Sequence, residues 1–176
     1  MVLEILRKRR SIRKFQASLV EPEKIEALQE VALRSPSSRF LRPWEFVFVT
    51  DPELLGRLSK AREHGTTFIQ GAPLAVVVAA DPAKCDVWVE DCSISAVLLQ
   101  AAAESLGLGS CWAQIRLRPH GGGGTAEAYV RELLGLPESY VVECVIAIGY
   151  PGEAKPGRPK ASLPYEKIHA NRFRGN

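Results

Sequence analysis

Positive charge gathers where this sequence could do chemistry. Arg7, Lys8, Arg9, Arg10, Arg13 and Lys14 place six cations in eight residues, with Ser11 and Ile12 between them. Like charges this close repel one another unless an anion meets them. Arginine grips phosphate through a planar fork of N–H groups, and the Ser11 hydroxyl adds a neutral donor. The same residues also suit a solvated helix end, where cations face the negative end of the helix dipole, and spacing alone leaves both readings open. A second basic stretch, residues 155–160, holds Lys155, Arg158 and Lys160.

Two further segments have the right composition to approach a ligand. Gly121, Gly122, Gly123 and Gly124 follow a strand-like run and precede a helix-like one, the setting of a phosphate-cradling loop. They lack the spacing of a dinucleotide fingerprint and the lysine of a P-loop, and four glycines in a row are costly to order. A turn is the expected outcome. Residues 35–46 (SPSSRFLRPWEF) offer hydroxyls and backbone N–H groups in a polar loop that runs into a strand, with Trp44 as its core anchor. The four cysteines (85, 92, 111, 144) form no C-x-x-C pair, and the three histidines are far apart, so neither a metal site nor a disulfide framework is expected. The cysteines are expected to be small buried apolar residues in a reducing compartment, Cys85 and Cys92 on one helical face.

These residues must be positioned by elements the sequence marks out. Residues 2–9 carry Leu3, Ile5 and Leu6 on an otherwise charged helix. Glu21, Pro22 and Glu23 open a second helix, and Ser35-Pro36 ends it, because the residue before proline is pushed out of the helical region. Residues 45–50 read as a strand, and Asp51-Pro52-Glu53 as N-cap, first position and first-turn acid of the next helix. Residues 72–80 (APLAVVVAA) read as a strand buried on both faces. Residues 87–106 form a helix that is apolar almost all round, which points to a central place covered in part by a second subunit. Gly107 and Gly109 end it. Strands are expected at 110–115 and 140–150, with a helix capped by Thr125 over 125–134 between them. The order α, α, β, α, β, α, β, α, β suits an α+β or α/β sandwich. The tail, 151–176, is rich in proline and glycine and is expected to lie against another surface.

A chain of 176 residues suits one domain, 1–176, and 46% apolar with 24% charged residues fits a globular protein. No apolar run is long enough to span a bilayer, and no signal-peptide pattern is seen, so a cytoplasmic protein with no membrane partner is expected. Net charge is only +3, and the basic cluster lacks interleaved aromatics, so nucleic-acid binding is the weaker reading.

Five segments together resemble the nitroreductase family. Residues 9–15 (RRSIRKF) are similar to its N-terminal flavin motif. Pro36-Ser37-Ser38 with Pro43-Trp44-Glu45-Phe46 resembles its P-S-[SA]-x-N-x-Q-P-W-x-F loop. Residues 106–112 (LGLGSCW) match its G-L-G-[ST]-C-W turn, 147–151 (AIGYP) its [AI]-I-G-Y-P strand end, and 165–173 its short closing helix. The resemblance implies an α+β fold, with a central mixed, mainly antiparallel sheet flanked by helices, in an intertwined homodimer holding two FMN molecules between its subunits. It implies that Arg9, Arg10, Ser11 and Arg13 hold the phosphate, ribityl chain and pyrimidine edge, with Arg158 and Lys160 as further phosphate ligands. Pro36, Ser37 and Ser38 would reach the same flavin from the partner chain. Ala113, Gln114 and Ile115 would line the ring. The chain departs from the family loop in having Phe40 and Arg42 where Asn and Gln are usual, so Phe40 would narrow the pocket and Arg42 would favour an acidic substrate or a cofactor phosphate. It is also shorter than many relatives, and part of a helical insertion over the substrate channel is expected to be missing.

The activity implied is ping-pong reduction of electron-poor small molecules such as nitroaromatics or quinones, with NADH or NADPH as a transient reductant and no catalytic side chain. The absence of a dinucleotide fingerprint agrees with a transient nicotinamide. A flavin-binding protein without nicotinamide-driven turnover is the alternative, and a basic nucleic-acid-binding module a third.

Overall fold

Four runs of small and β-branched residues pair into one open sheet in the computed structural model, which describes residues 2–173. They are β1 (Trp44–Val49), β2 (Leu74–Ala80), β3 (Gly109–Gln114) and β4 (Val141–Gly149). The order is β1-β2-β4-β3, and every strand pair is antiparallel. The parallel component is a single bridge, Ser11 to Ser110, which lays the N-terminal segment beside β3. Every residue of β2 is buried, as its unbroken apolar run predicts for a strand covered on both faces.

Helices α1 (Val2–Lys8), α2 (Pro22–Leu33), α3 (Pro52–Leu58), α4 (Trp88–Ser105) and α5 (Ala126–Leu134) follow the predicted order. On one face of the sheet, Leu28 and Ala32 of α2 join Cys92, Ala96, Leu99 and Ala103 of α4 against Val76, Val78, Ile146 and Ile148. On the other, Leu55 and Leu58 of α3 and Ala126 and Val130 of α5 meet Val77, Ala113, Ile115 and Val145. Each fully buried Leu or Ile contributes about 1.5–3 kcal/mol through water released from its surface.

The helix ends follow their local chemistry. The Asp51 carboxylate accepts from the N–H groups of Glu53 and Leu54 at 2.8 and 3.0 Å, and Thr125 accepts from Ala128 at 3.1 Å. At the other end of α4, Gly107 takes φ +76°, and the Leu108 N–H donates to the Ala103 carbonyl at 2.8 Å, which closes the helix.

The four cysteines are buried free thiols, although Cys85 lies in the turn before α4 rather than on the helix. Burial pushes the Cys92 thiol up to about 12, so it stays protonated. The outer side of α4 leaves Ile94, Val97 and Leu98 exposed, and α1 beside it leaves Leu3 and Leu6 exposed. No helix among the described residues is long and apolar enough to cross a membrane. The tail follows the molecular surface. Its closing segment is one 3₁₀ turn, Tyr165–Lys167, and not a longer helix, and it leaves Tyr165, Ile168 and Phe173 exposed, with Phe173 meeting only the neighbouring His169 ring at 4.4 Å among the aromatic contacts of the described residues.

Candidate functional site

The N-terminal cations are fixed by a short extended segment. The Ile12 N–H donates to the Ser110 carbonyl at 2.9 Å, the Gln16 N–H to Tyr150 at 2.9 Å, and the Gly152 N–H to Lys14 at 2.8 Å. Residues 11–16 thus lie between the start of β3 and the chain leaving β4. Gly109 permits this approach, since a Cβ there would stand 2.9 Å from Ile12 Cβ. The same stitching reaches the tail. Glu153 Oε1 accepts the Arg13 N–H at 2.6 Å, the Lys14 N–H at 3.2 Å and Lys155 Nζ at 2.8 Å. The Arg13 N–H, then the Lys155 ammonium, lower the Glu153 carboxyl to about 2. Lys155 Nζ also donates to the Ser11 carbonyl at 2.9 Å, and Arg10 donates to the Pro156 carbonyl.

This stitching builds a cleft of about 690 Å³ between α1 and the tail. Arg7, Arg9, Arg10, Arg13, Lys155 and Arg158 line it together with Ser11, and no acidic residue does. Glu153 pairs with Lys155 from behind the lining, and the five arginines leave the pocket strongly positive, an environment suited to an anion. Leu3, Leu6 and Leu163 supply an apolar wall. Of the cations expected here, Arg9, Arg10, Arg13 and Arg158 are brought together. Lys160 is exposed and does not line the cleft, whereas Lys155, which the motif reading passed over, does. Its signal was its place in the same basic stretch.

The other expected residues lie elsewhere in the single chain. Ser38 donates its N–H to Asp91 Oδ1 at 2.9 Å near the start of α4, whereas Arg9 donates to Gln100 Oε1 at 3.5 Å farther along it. These anchors are about 13–14 Å apart along the helix axis. Pro36, Ser37, Ser38 and Arg42 therefore do not join the basic cleft of their own subunit. Ala113 and Ile115 turn their side chains into the core under α3 and α5 and are 1% and 0% exposed, so they offer a ligand no side chain. Gln114 is engaged within the protein. It donates to Glu143 Oε1 at 3.2 Å and accepts from Trp112 Nε1 at 2.9 Å, and its carbonyl accepts from Arg62 at 3.1 Å.

Glu143 was not foreseen. It is the extra residue of a bulge, because Val78 pairs with Cys144 and Ala79 with Val142. Burial raises its carboxyl above the ordinary range, while the Gln114 hydrogen bond and the Arg116 charge pull it down. Its carbonyl accepts the N–H groups of both Ile115 and Arg116.

The loop after α2 is tightly held. Arg39, Phe40 and Arg42 all have positive φ (50°, 60° and 49°). Such a backbone costs a non-glycine residue roughly 1–2 kcal/mol, and Asn tolerates it better than Phe does. Asp91, only 3% exposed, anchors Ser38, and its other oxygen accepts from Cys85 at 3.4 Å. Ser37 Oγ accepts the Arg42 N–H at 2.9 Å, and Arg39 pairs with Asp86.

The glycine run is a turn, as expected. The His120 N–H donates to the Gly124 carbonyl and the Gly123 N–H to the His120 carbonyl, both at 3.1 Å.

The sequence model of the nitroreductase family matches residues 6–66 and 58–150. A protein of Archaeoglobus fulgidus whose proposed activity is NADH dehydrogenase/NAD(P)H nitroreductase is 36% identical over 157 residues, which is 87% of each chain. Among solved structures, an FMN-dependent nitroreductase from Clostridium difficile R20291 superposes with a TM-score of 0.94 at 47% identity, covering 97% of this chain and 99% of that one. The NADPH:FMN oxidoreductase of Vibrio harveyi, solved with NAD+, gives a TM-score of 0.83 at 26% identity over 99% of this chain and 79% of its own. The match runs through the basic N-terminal segment, the helix-to-strand loop and all four strands, and this chain belongs to the nitroreductase family.

Proposed function

We propose that this chain is a single-domain, FMN-dependent oxidoreductase that uses NAD(P)H to reduce electron-poor small molecules, such as nitroaromatics or quinones, by a ping-pong scheme. One observation carries the reading: five arginines and a lysine from both ends of the chain converge on one cleft without an acid. FMN carries a phosphate monoester with a charge of about −1.5 to −2 at neutral pH. The residues present fit it. Arg9, Arg10, Arg13, Lys155 and Arg158 would hold the phosphate and polar edge, and Ser11 would donate a hydroxyl hydrogen bond.

Bound FMN supplies the two-electron chemistry that links NAD(P)H to the acceptor. The chain's own groups bind and orient. Glu153 holds the Arg13 and Lys14 backbone, so the guanidinium is placed before a ligand arrives. The surrounding cations also stabilise negative charge that develops on whatever they enclose. No side-chain acid or base is required. The two substrates would take turns at one pocket, in keeping with the lack of a dinucleotide fingerprint in the sequence.

The working unit would be a homodimer in the cytoplasm. The exposed apolar residues of α4 and α1 support a second subunit on that face, and the loop holding Pro36, Ser37 and Ser38 would then border the partner's flavin. The four free, buried thiols suit a reducing compartment.

The test is the visible spectrum of the purified protein before and after anaerobic NADH or NADPH. A yellow protein that bleaches within a turnover time supports the proposal. Persistent colour would indicate a passive flavin carrier, and a colourless protein that FMN fails to stabilise would remove the flavin altogether.

A further inference from the structure

The loop that departs from the family pattern carries an exposed cation on an exposed ring. The Arg42 guanidinium carbon lies 4.1 Å from the centroid of the Phe40 ring, a close cation–π stack. Phe40 is 72% exposed, which is unusual for a phenylalanine at a position its backbone disfavours. Neighbouring Arg39 is neutralised by Asp86, but Arg42 makes no ion pair among the described residues. The backbone beneath is fixed by Ser37, Asp91 and Cys85, so the pair is presented on a rigid base. An exposed ring held at backbone strain, with an uncompensated charge on its face, is what a binding platform needs.

The FMN phosphate does not account for this charge. Six cations already surround the basic cleft, and Arg42 lies at the opposite end of α4. We propose that the Phe40–Arg42 pair selects flat acceptors bearing a negative charge, aromatic carboxylates above all. The Phe40 ring would hold the guanidinium from one side, the acceptor plane would lie against the guanidinium's outer edge, and the guanidinium would meet the carboxylate. This rests on the flavin-dependent reduction and the homodimer proposed above, in which this loop borders the partner's flavin and not the cleft of its own chain.

The probes are 4-nitrobenzoate and 4-nitrobenzamide, near-isosteres that differ in charge. In the assay a nitroarene, NAD(P)H and one proton give the nitrosoarene, NAD(P)+ and water, so two electrons pass from nicotinamide to nitro group. The holoenzyme is expected to favour the carboxylate by about tenfold in kcat/KM, as a charge-assisted hydrogen bond would give. Arg42→Gln should bring the ratio close to one, and Arg42→Lys should retain part of it. A wild-type ratio near one overturns the proposal. So does a preference that survives Arg42→Gln, which would assign it to the other arginines. If Arg42→Gln instead raises KM for NAD(P)H and leaves the acceptor ratio intact, the anion belongs to the nucleotide, and the acceptor assignment falls. Failure to reduce either probe while NAD(P)H still bleaches the flavin excludes the acceptor class but spares the reductive half. No bleaching at all removes both proposals.

Discussion

Two segments of this chain have the composition of a phosphate site, and the structure separates them. Residues 9–13 are held by hydrogen bonds to Ser110, Glu153 and the tail, and they face a cleft with six cations. The glycines at 121–124 close a turn upon themselves, with His120 stacked on Tyr129 at 4.2 Å and Glu63 beside Gly121, and they line no part of the basic cleft. Backbone N–H groups alone do not make an anion site. Fixed charge in excess of its carboxylates does, since Glu153 pairs with Lys155 and leaves the arginines over, and fixing it takes partners from distant parts of the chain.

The comparison can be broken by experiment. If the basic cleft is the phosphate site, Arg13→Ala should weaken FMN binding by about 100-fold, on the scale of a lost charge-assisted contact, while the protein stays folded. Flavin retained in stoichiometric amount would take Arg13 off the ligand list. Arg158→Ala should cost about tenfold in the same titration and Lys160→Ala less than about twofold, since only the former lines the cleft. Gly123→Ala, at φ +98°, should lower unfolding free energy by about 1 kcal/mol in urea and leave FMN affinity unchanged. A loss of flavin in that variant would return the glycine run to the site.

The smallest effect concerns Glu153. Its folded-state carboxyl, held at about 2 against an ordinary 4.5, contributes stability above pH 4.5 that is lost as pH falls through about 2. Wild type should therefore exceed Glu153→Gln in Tm at neutral pH, and the gap should close between those two values. A gap that does not change with pH would mean the charge is irrelevant to the stitching.

Much of the scaffold was legible from local chemistry. The Asp51 cap, the Thr125 cap, the fully buried β2 and the Gly107 stop each depend on residues close in sequence. What was hidden depends on pairing between distant segments. Ala113 and Ile115 are expected beside the flavin ring, and the packing of α3 and α5 on the sheet turns their side chains inward, which leaves their backbone for such a contact. Glu143 is one charge in an otherwise apolar run, and only the register with β2 shows it as a bulge. Lys155 and Glu153 became visible as one unit once the tail was seen beside residues 11–14. The three left-handed residues at 39, 40 and 42 carry no glycine or asparagine to announce them.

The stitching of the cleft also sets when it can exist. Arg13 meets Glu153 across 140 positions and Lys155 meets Ser11 across 144, so the floor of the site comes from early residues and its clasp from late ones. Such distant closures are entropically slow and wait upon the intervening sheet. During synthesis the basic residues at 7–14 emerge long before their clasp, and the site is completed only once residues 153–158 have left the ribosome. A cofactor held by this cleft would therefore meet an already folded body, because its clasp forms last.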